Sequence, residues 1–402
     1  MNAGEPTFER SVGTNGRTTT VGADTSIEIV PVHGRFGRNG RNRFVDIPFR
    51  VNAGDPHWIP PLRLSVHDRI SPKYPGNIHQ TNALWLAYRD GKPVGRIGAC
   101  VDSLFNEFQN ESWLWVGFFD AFDDQAVANA LFEAAWDWGR AHGAETAIGP
   151  ASFTTNDELG LLVENFDDPP LIMTTENPKY YERLWLAGGW APTMDLWGWK
   201  FTREGTTLTD RQRKVLQRLR QRAGLRIRGV NMKDFDAEVD RLFQVYSAGW
   251  QRNWGFAPMT EGEVRHLAKQ LKQIADPELA LIVEKEDGTP IGVALTLPDA
   301  NEPMRKVRSG RLFPTGWYHL LTGMKKVSAA RVWALGVIPE QQNLALGALL
   351  YGELFDRMSA KTNIVTAEAS WILATNDRMN KPLESMGGQR YKTWRMYEHP
   401  LR

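Results

Sequence analysis

The chain has 402 residues, 42% of them apolar and 24% charged, an ordinary globular balance with length enough for two hydrophobic cores. Its net charge of +1 lacks the electrostatic footprint of a nucleic-acid binder, so nucleic acid is not favoured as a partner. A single cysteine, Cys100, excludes an internal disulfide, and eight scattered histidines form no cluster at metal-ligand spacing, so no metal is expected.

In chain order, residues 1–25 are polar without an apolar run and read as a disordered tail rather than a secretory leader, which places the protein in the cytoplasm. No later stretch reaches the roughly 18 apolar residues that span a bilayer. The run "LWLAYR" ends at Asp90-Gly91, a hairpin turn by composition. Strand, loop and helix follow in "WVGFFDAFDDQAVANALFEAAWDWGRAHG", with Asp120, Asp123 and Asp124 around the helix start. In "GPASFTTNDELGLL" and "NPKYYERLW", Asn156, Tyr180 and Tyr181 fall at strand ends and loops, where they either face a crevice between domains and bind substrate or pack in the core.

A connector, "TDRQRKVLQRLRQRAGLRIRGV", comes next. Thr209 or Asp210 can cap its helix, Leu216 and Leu219 give a thin apolar stripe, and Gly224 ends it. It is strongly basic. It reads either as a solvated connector or as a strip facing an anionic ligand or the inner membrane as a peripheral contact.

The landmarks then return. Asp287-Gly288, Asn376 and Gly387-Gly388 repeat Asp90-Gly91, Asn177 and Gly188-Gly189 at an offset of about 200 residues, the length of a duplicated domain rather than a solenoid unit. We therefore divide the chain into 26–205, a connector at 206–224, and 225–402. Each half mixes hairpins with strand-helix-strand crossovers, an α/β arrangement with a mixed central sheet flanked by helices.

"RVWALGVIPE" is a strand that stops at Pro339, and "NLALGALLYGELFDRM" has apolar residues at helical spacing. A helix entered through a short loop offers free N–H groups and the positive end of its dipole, a seat for a pyrophosphate. Ala345, Gly347 and Ala348 let phosphates approach the backbone. The three aspartates at the corresponding place in the first half would cap a helix but repel a pyrophosphate. Only the second half is expected to hold such a group.

The loop Gln342-Asn343-Leu344-Ala345-Leu346-Gly347 after Val337-Ile338-Pro339 resembles the signature of the GNAT superfamily of acyl-CoA-dependent N-acyltransferases, with Ala345 in place of its first glycine. The likeness covers 225–402 well and 27–203 more faintly. It implies two tandem GNAT-like domains and acyl-CoA as donor. It also implies that backbone amides at Leu335, Gly336 and Val337 serve the carbonyl and the pantetheine arm, and that Asn376 contacts that arm; helix capping is the plain alternative for Asn376.

Acyl transfer to an amine needs a base for the ammonium proton and an acid for the thiolate. Glu368, an ionisable residue inside the apolar "IVTAEASW", is the expected base, with Glu340 behind it. The family's usual tyrosine position holds Leu383, so Tyr391, or else Tyr397, is the expected acid. Of sixteen tryptophans most must be core, while Trp254 and Trp371 are expected to line an apolar substrate channel. The tandem plan is similar to N-myristoyltransferases and peptidoglycan-bridge aminoacyl transferases. Stretches such as "DPHWIPPLR" and "EASWILATNDRMN" are similar to bacterial ceramide synthases, implying transfer to a lipid-like amine such as a sphingoid base. An aminoacyl-tRNA donor and a non-catalytic acyl-CoA-binding scaffold remain as alternatives.

Overall fold

The computed structural model describes residues 18–19, 26–32, 37–206, 209–222, 224–344 and 346–402. Its strands are β1 (Thr18–Thr19), β2 (Ile27–Pro31), β3 (Gln80–Arg89), β4 (Lys92–Asp102), β5 (Trp113–Ala121), β6 (Thr146–Gly149), β7 (Leu161–Glu164), β8 (Ala191–Thr202), β9 (Arg226–Gly229), β10 (Ala280–Glu284), β11 (Pro290–Pro298), β12 (Ala329–Val337), β13 (Thr366–Leu373) and β14 (Gln389–Pro400). Of the residues read as a polar tail, only Thr18 and Thr19 are described, paired as a short strand with Glu28 and Ile27.

Local chemistry explains the hairpins. Asp90 and Gly91 both take positive φ, 52° and 70°, a conformation that a short polar residue and glycine tolerate, and they join β3 to β4. Gly288, at φ 83°, does the same between β10 and β11. Helices cover both faces of each half. In the first, helix Gln125–Ala141 buries Val127, Leu131, Phe132, Ala135 and Trp136 against the sheet, and helix Gly37–Val51 packs Phe44 and Ile47 on the opposite face. In the second, helix Leu346–Ala360 buries Leu346, Leu349, Leu350 and Leu354 on one side, and helix Phe235–Trp250 covers the other through Val245. Large side chains buried in this way stabilise by roughly 1.5–3 kcal/mol each.

The two halves are not two separate sheets. The strands form one sheet in the order β1-β2-β3-β4-β5-β6-β14-β8-β13-β12-β11-β10-β9, with β7 also on β14. β8, the last strand of the first half, pairs with β13 (Ala369 opposite Trp199), while the C-terminal β14 pairs with β6 (Tyr397 opposite Gly149) and with β8. Each half thus completes its sheet with the other's terminal strand.

The connector helix, Asp210–Arg222, is not simply solvated. Leu216 is buried against helix Leu346–Ala360, where a Cβ on Gly352 would lie 2.4 Å from its Cδ1, and Arg213 lies 3.8 Å from Asp356. The two helices therefore run antiparallel, and the connector's last turn points toward the start of helix Leu346–Ala360.

Candidate active site

Glu368 lies near the start of β13 and is 1% exposed. A carboxylate in such a place needs donors, and it has them: the Ser370 hydroxyl donates to Oε1 and the Tyr391 hydroxyl to Oε2. Arg331, its neighbour on β12, is fully buried with Nε 3.9 Å from the carboxylate. The guanidinium donates to Ser370 Oγ at 2.9 Å, Ser370 O at 3.0 Å, Ile172 O at 2.9 Å and Met173 O at 2.6 Å. Burial draws its pKa down to about 10, so it stays cationic at neutral pH. Burial, and then the adjacent Glu368 charge, hold the Tyr391 phenol far above its ordinary range, so it keeps its proton.

Glu368 and Tyr391 border a cavity of about 550 Å³ at the start of β12 and β13, with Thr366 and Lys200 beside them on its floor. Its roof is the 299–328 connection between β11 and β12, which carries helices Asn301–Met304 and Gly316–Gly323; the first half uses only 103–112 at that point. Burial pushes Asp299, at the roof's base, up to about 7. Lys392 donates to Asp168 O at 2.7 Å and Pro169 O at 3.2 Å, pinning the side wall, and burial lowers its ammonium pKa.

Next to Glu368 the sheet opens. The parallel ladder of β12 and β13 ends at Val332 and Ala369, although β12 runs on to Val337 paired with β11 on its other edge (Leu335 opposite Ala294, Gly336 opposite Val293). Successive strand residues address opposite neighbours, so alternate amides in the last turns of β12 face this gap. Gly336 is required by packing: a Cβ there would lie 2.2 Å from the Trp250 ring. The gap leads to a 3₁₀ turn, Pro339–Leu344, and to the start of helix Leu346–Ala360. Gln342 donates to Val337 O at 3.4 Å and accepts from Arg378 at 3.0 Å, and a Cβ on Gly347 would meet nothing within 4 Å. The mouth is open.

In the first half the equivalent gap is closed. β5 and β6 pair in parallel only from Trp113 to Trp115, and then Ala151 N donates to Val116 O at 2.9 Å. The chain is so close that a Cβ on Gly117 would lie 1.9 Å from Ala151 O. Asp124 caps helix Gln125–Ala141 by accepting from Ala126 N and Val127 N, and its carboxylate also pairs with Arg89 at 2.7 Å. Asp120 pairs with Arg96 and Asp123 with Arg183.

Known proteins resemble this chain in sequence and in fold. A model of the acetyltransferase (GNAT) domain matches residues 210–303. A bacterial ceramide synthase of Caulobacter vibrioides is 38% identical over 370 residues, covering 89% of this chain and 94% of that one. The chain belongs to the GNAT superfamily of N-acyltransferases. Protein YghO of Escherichia coli K12 is 36% identical over 371 residues, covering 91% of this chain and 94% of its own. A tandem GNAT protein from the clavulanic acid biosynthesis pathway, 12% identical, superposes with a TM-score of 0.55 over 94% of this chain and 99% of its own, a likeness of fold. These relatives favour neither an aminoacyl-tRNA donor nor a non-catalytic scaffold.

Within this GNAT frame, some expected site residues converge and others lie elsewhere. Glu368 and Tyr391 meet, whereas Tyr397 donates to Glu182 at 3.0 Å within the first-half core. Leu335, Gly336 and Val337 lie along the gap, and Leu346 anchors its helix in the core while Ala348 is exposed. Asn343 and Leu344 are described in backbone only, and Ala345 lies outside the described residues. Asn376 caps helix Asp377–Ser385, accepting from Met379 N at 3.3 Å. Its counterpart Asn177 instead clamps β7 through Leu162 N and O.

The expected substrate-binding residues are mostly engaged in structure. Asn156 donates to Ala257 O at 2.9 Å and accepts from Tyr246 at 2.8 Å, bracing one half against the other. Tyr180 and Tyr181 use their hydroxyls on Ala121 O and N and pack against the first-half core, because their rings face the sheet rather than a crevice. Trp254 packs on Trp113 at 5.7 Å. Trp371 lies under the Arg331 guanidinium at 4.6 Å and against Trp394, beside the site but not on the cavity floor. Sequence reasoning passed over Arg331, Lys200, Ser370 and the 299–328 roof. Arg331 carries the signal that exposed Glu368, an ionisable residue within an apolar strand.

Among the described residues no helix is long and apolar enough to cross a membrane, and no group of three His, Cys, Asp or Glu is placed to hold a metal ion.

Proposed function

We propose that the protein moves a fatty acyl group from acyl-CoA, held by the second half, to the amine of a lipid-like acceptor such as a sphingoid base, in the cytoplasm. The observation that carries this reading is the Glu368–Tyr391 pair, set beside the point where the β12–β13 gap begins and lining the 550 Å³ cavity. The donor would enter along the gap with its diphosphate at the start of helix Leu346–Ala360, Asn376 beside its arm, and the connector's basic turn nearby. The acceptor would enter through the cavity. Support for a long-chain amine comes from the relative named a bacterial ceramide synthase.

In this reading Glu368 takes the proton from the attacking amine as its nitrogen forms the C–N bond, and gap-facing amides of β12 stabilise the carbonyl oxygen. When the C–S bond breaks, Tyr391 protonates the thiolate and recovers a proton from Glu368 across their hydrogen bond. Arg331 and Ser370 hold the carboxylate in place.

Incubating the protein with palmitoyl-CoA and a sphingoid base, followed by mass spectrometry, should show the N-acyl product. Glu368→Gln should lower kcat by about 10²–10⁴-fold at unchanged acyl-CoA affinity. Equal turnover by the variant, or no product with any amine, would contradict the reading.

A further inference from the structure

We infer that the roof of the cavity is a docking surface for an anionic lipid bilayer. Among the described residues the large exposed apolar side chains are few, and four of them gather within nine positions of this roof: Phe313 (77% exposed), Trp317 (47%), Tyr318 (55%) and Leu321 (62%). Helix Gly316–Gly323 is two-faced. Trp317, Tyr318 and Leu321 point outward on one side, while His319, Thr322 and Gly323 on the other line the cavity that holds Glu368 and Tyr391. The helix is therefore a thin wall between that cavity and whatever covers its outer face. Leu64, 67% exposed, extends the patch past Phe313 across a second hollow of about 540 Å³.

Charge identifies the occupant. The segment 299–328 holds six basic residues (Arg305, Lys306, Arg308, Arg311, Lys325, Lys326) against two acidic ones (Asp299, Glu302), a balance of +4 in a chain whose net charge is +1. All six basic residues are exposed, whereas Glu302 is turned inward onto Ser328 and Asp299 is buried. Exposed aromatic and leucine side chains on a segment with this excess of lysine and arginine, Arg311 sharing the second hollow with Phe313 and Leu64, match the boundary between acyl chains and anionic headgroups. A second copy of this chain would set one positively charged segment against another, which opposes a self-complementary dimer through this face. The connector helix is not the docking element, because its apolar stripe is spent on helix Leu346–Ala360.

This inference rests on the proposed function only for its purpose: an acceptor dissolved in a bilayer would reach Glu368 past the helix that touches the bilayer. Its test is independent of catalysis. The full chain is sedimented with vesicles of phosphatidylcholine alone and of phosphatidylcholine with phosphatidylglycerol. It should partition onto the anionic vesicles and far less onto the neutral ones. The triple variant Phe313→Ser, Trp317→Ser, Leu321→Ser, with its thermal transition checked against the parent, should partition at least about tenfold less. Arg311→Glu with Lys325→Glu should lose the preference for anionic vesicles, and Glu368→Gln should bind as the parent does. No vesicle binding by the parent, undiminished binding by the triple variant, or light scattering that shows a dimer which the triple variant breaks would overturn the inference. Failure of the acyltransferase reading would show separately, as absence of product in detergent micelles.

Discussion

Between β5 and β6 the sheet's gap is filled by the chain itself, with Ala151 bonded to Val116; between β12 and β13 the ladder stops at Val332 and, among the described residues, no backbone bond closes it. The loops that follow differ in the same sense. Asp124 satisfies the helix start in the first half with its own carboxylate, whereas Gly347 leaves the second helix start open. The comparison teaches how one duplicated scaffold yields a closed half and an open half. The closed half turns its amides inward onto its own backbone and carboxylates, and the open half is the one we propose to hold the donor. Exchange of β8 and β14 then makes the closed half part of the open half's sheet, so its rigidity supports the site.

The largest effect on this comparison is expected from Gly117→Ala. Its Cβ would lie 1.9 Å from Ala151 O, so the closed gap must part, with a loss on the order of 3 kcal/mol in denaturant unfolding. Gly347→Ala, in open space at a helix start, should cost nothing and add up to about 1 kcal/mol. Equal effects at the two glycines would remove the distinction between a closed and an open gap.

A smaller effect is expected from pH at the tie between the halves. His79, at the edge of the first half, bonds Asp102 at 2.8 Å and Glu263 of the second half at 2.9 Å. Burial works against its charge, but those two hydrogen bonds outweigh it and raise the pKa from 6.5 to about 9. The folded pKa is the higher one, so the stabilisation is complete below about 6.5 and is lost as pH rises through about 9. The melting temperature of the parent should fall across that window, and that of His79→Gln should stay flatter. The smallest expected effect is that of Asp124→Ala, a lost helix cap worth about 1 kcal/mol of stability, with no gain of acyl-CoA binding in the first half.

Much of this was legible in the sequence because the decisive residues stand out against their surroundings. Asp-Gly turns punctuate apolar runs, Glu368 is a lone charge in a buried strand, and three aspartates mark the helix start of the first half. The strand exchange was not legible, since β8 and β14 both alternate in the same aromatic way and nothing local says which edge each will join. Tyr180, Tyr181 and Asn156 could be read two ways for a related reason: an aromatic or an amide near a loop has the same sequence signature whether its hydroxyl or amide braces a strand or reaches for a ligand. The 299–328 roof stayed hidden because its shelter over Glu368 depends on contacts far apart in the chain.

The central claim, one carrier site at the start of helix Leu346–Ala360, is tested most directly by isothermal titration with palmitoyl-CoA. The account predicts one site per chain, weakened at least about tenfold by Gly347→Glu, which places a carboxylate at the mouth as the first half does, and unchanged by Asp124→Ala. Two sites per chain, or binding that Gly347→Glu leaves intact, would contradict it.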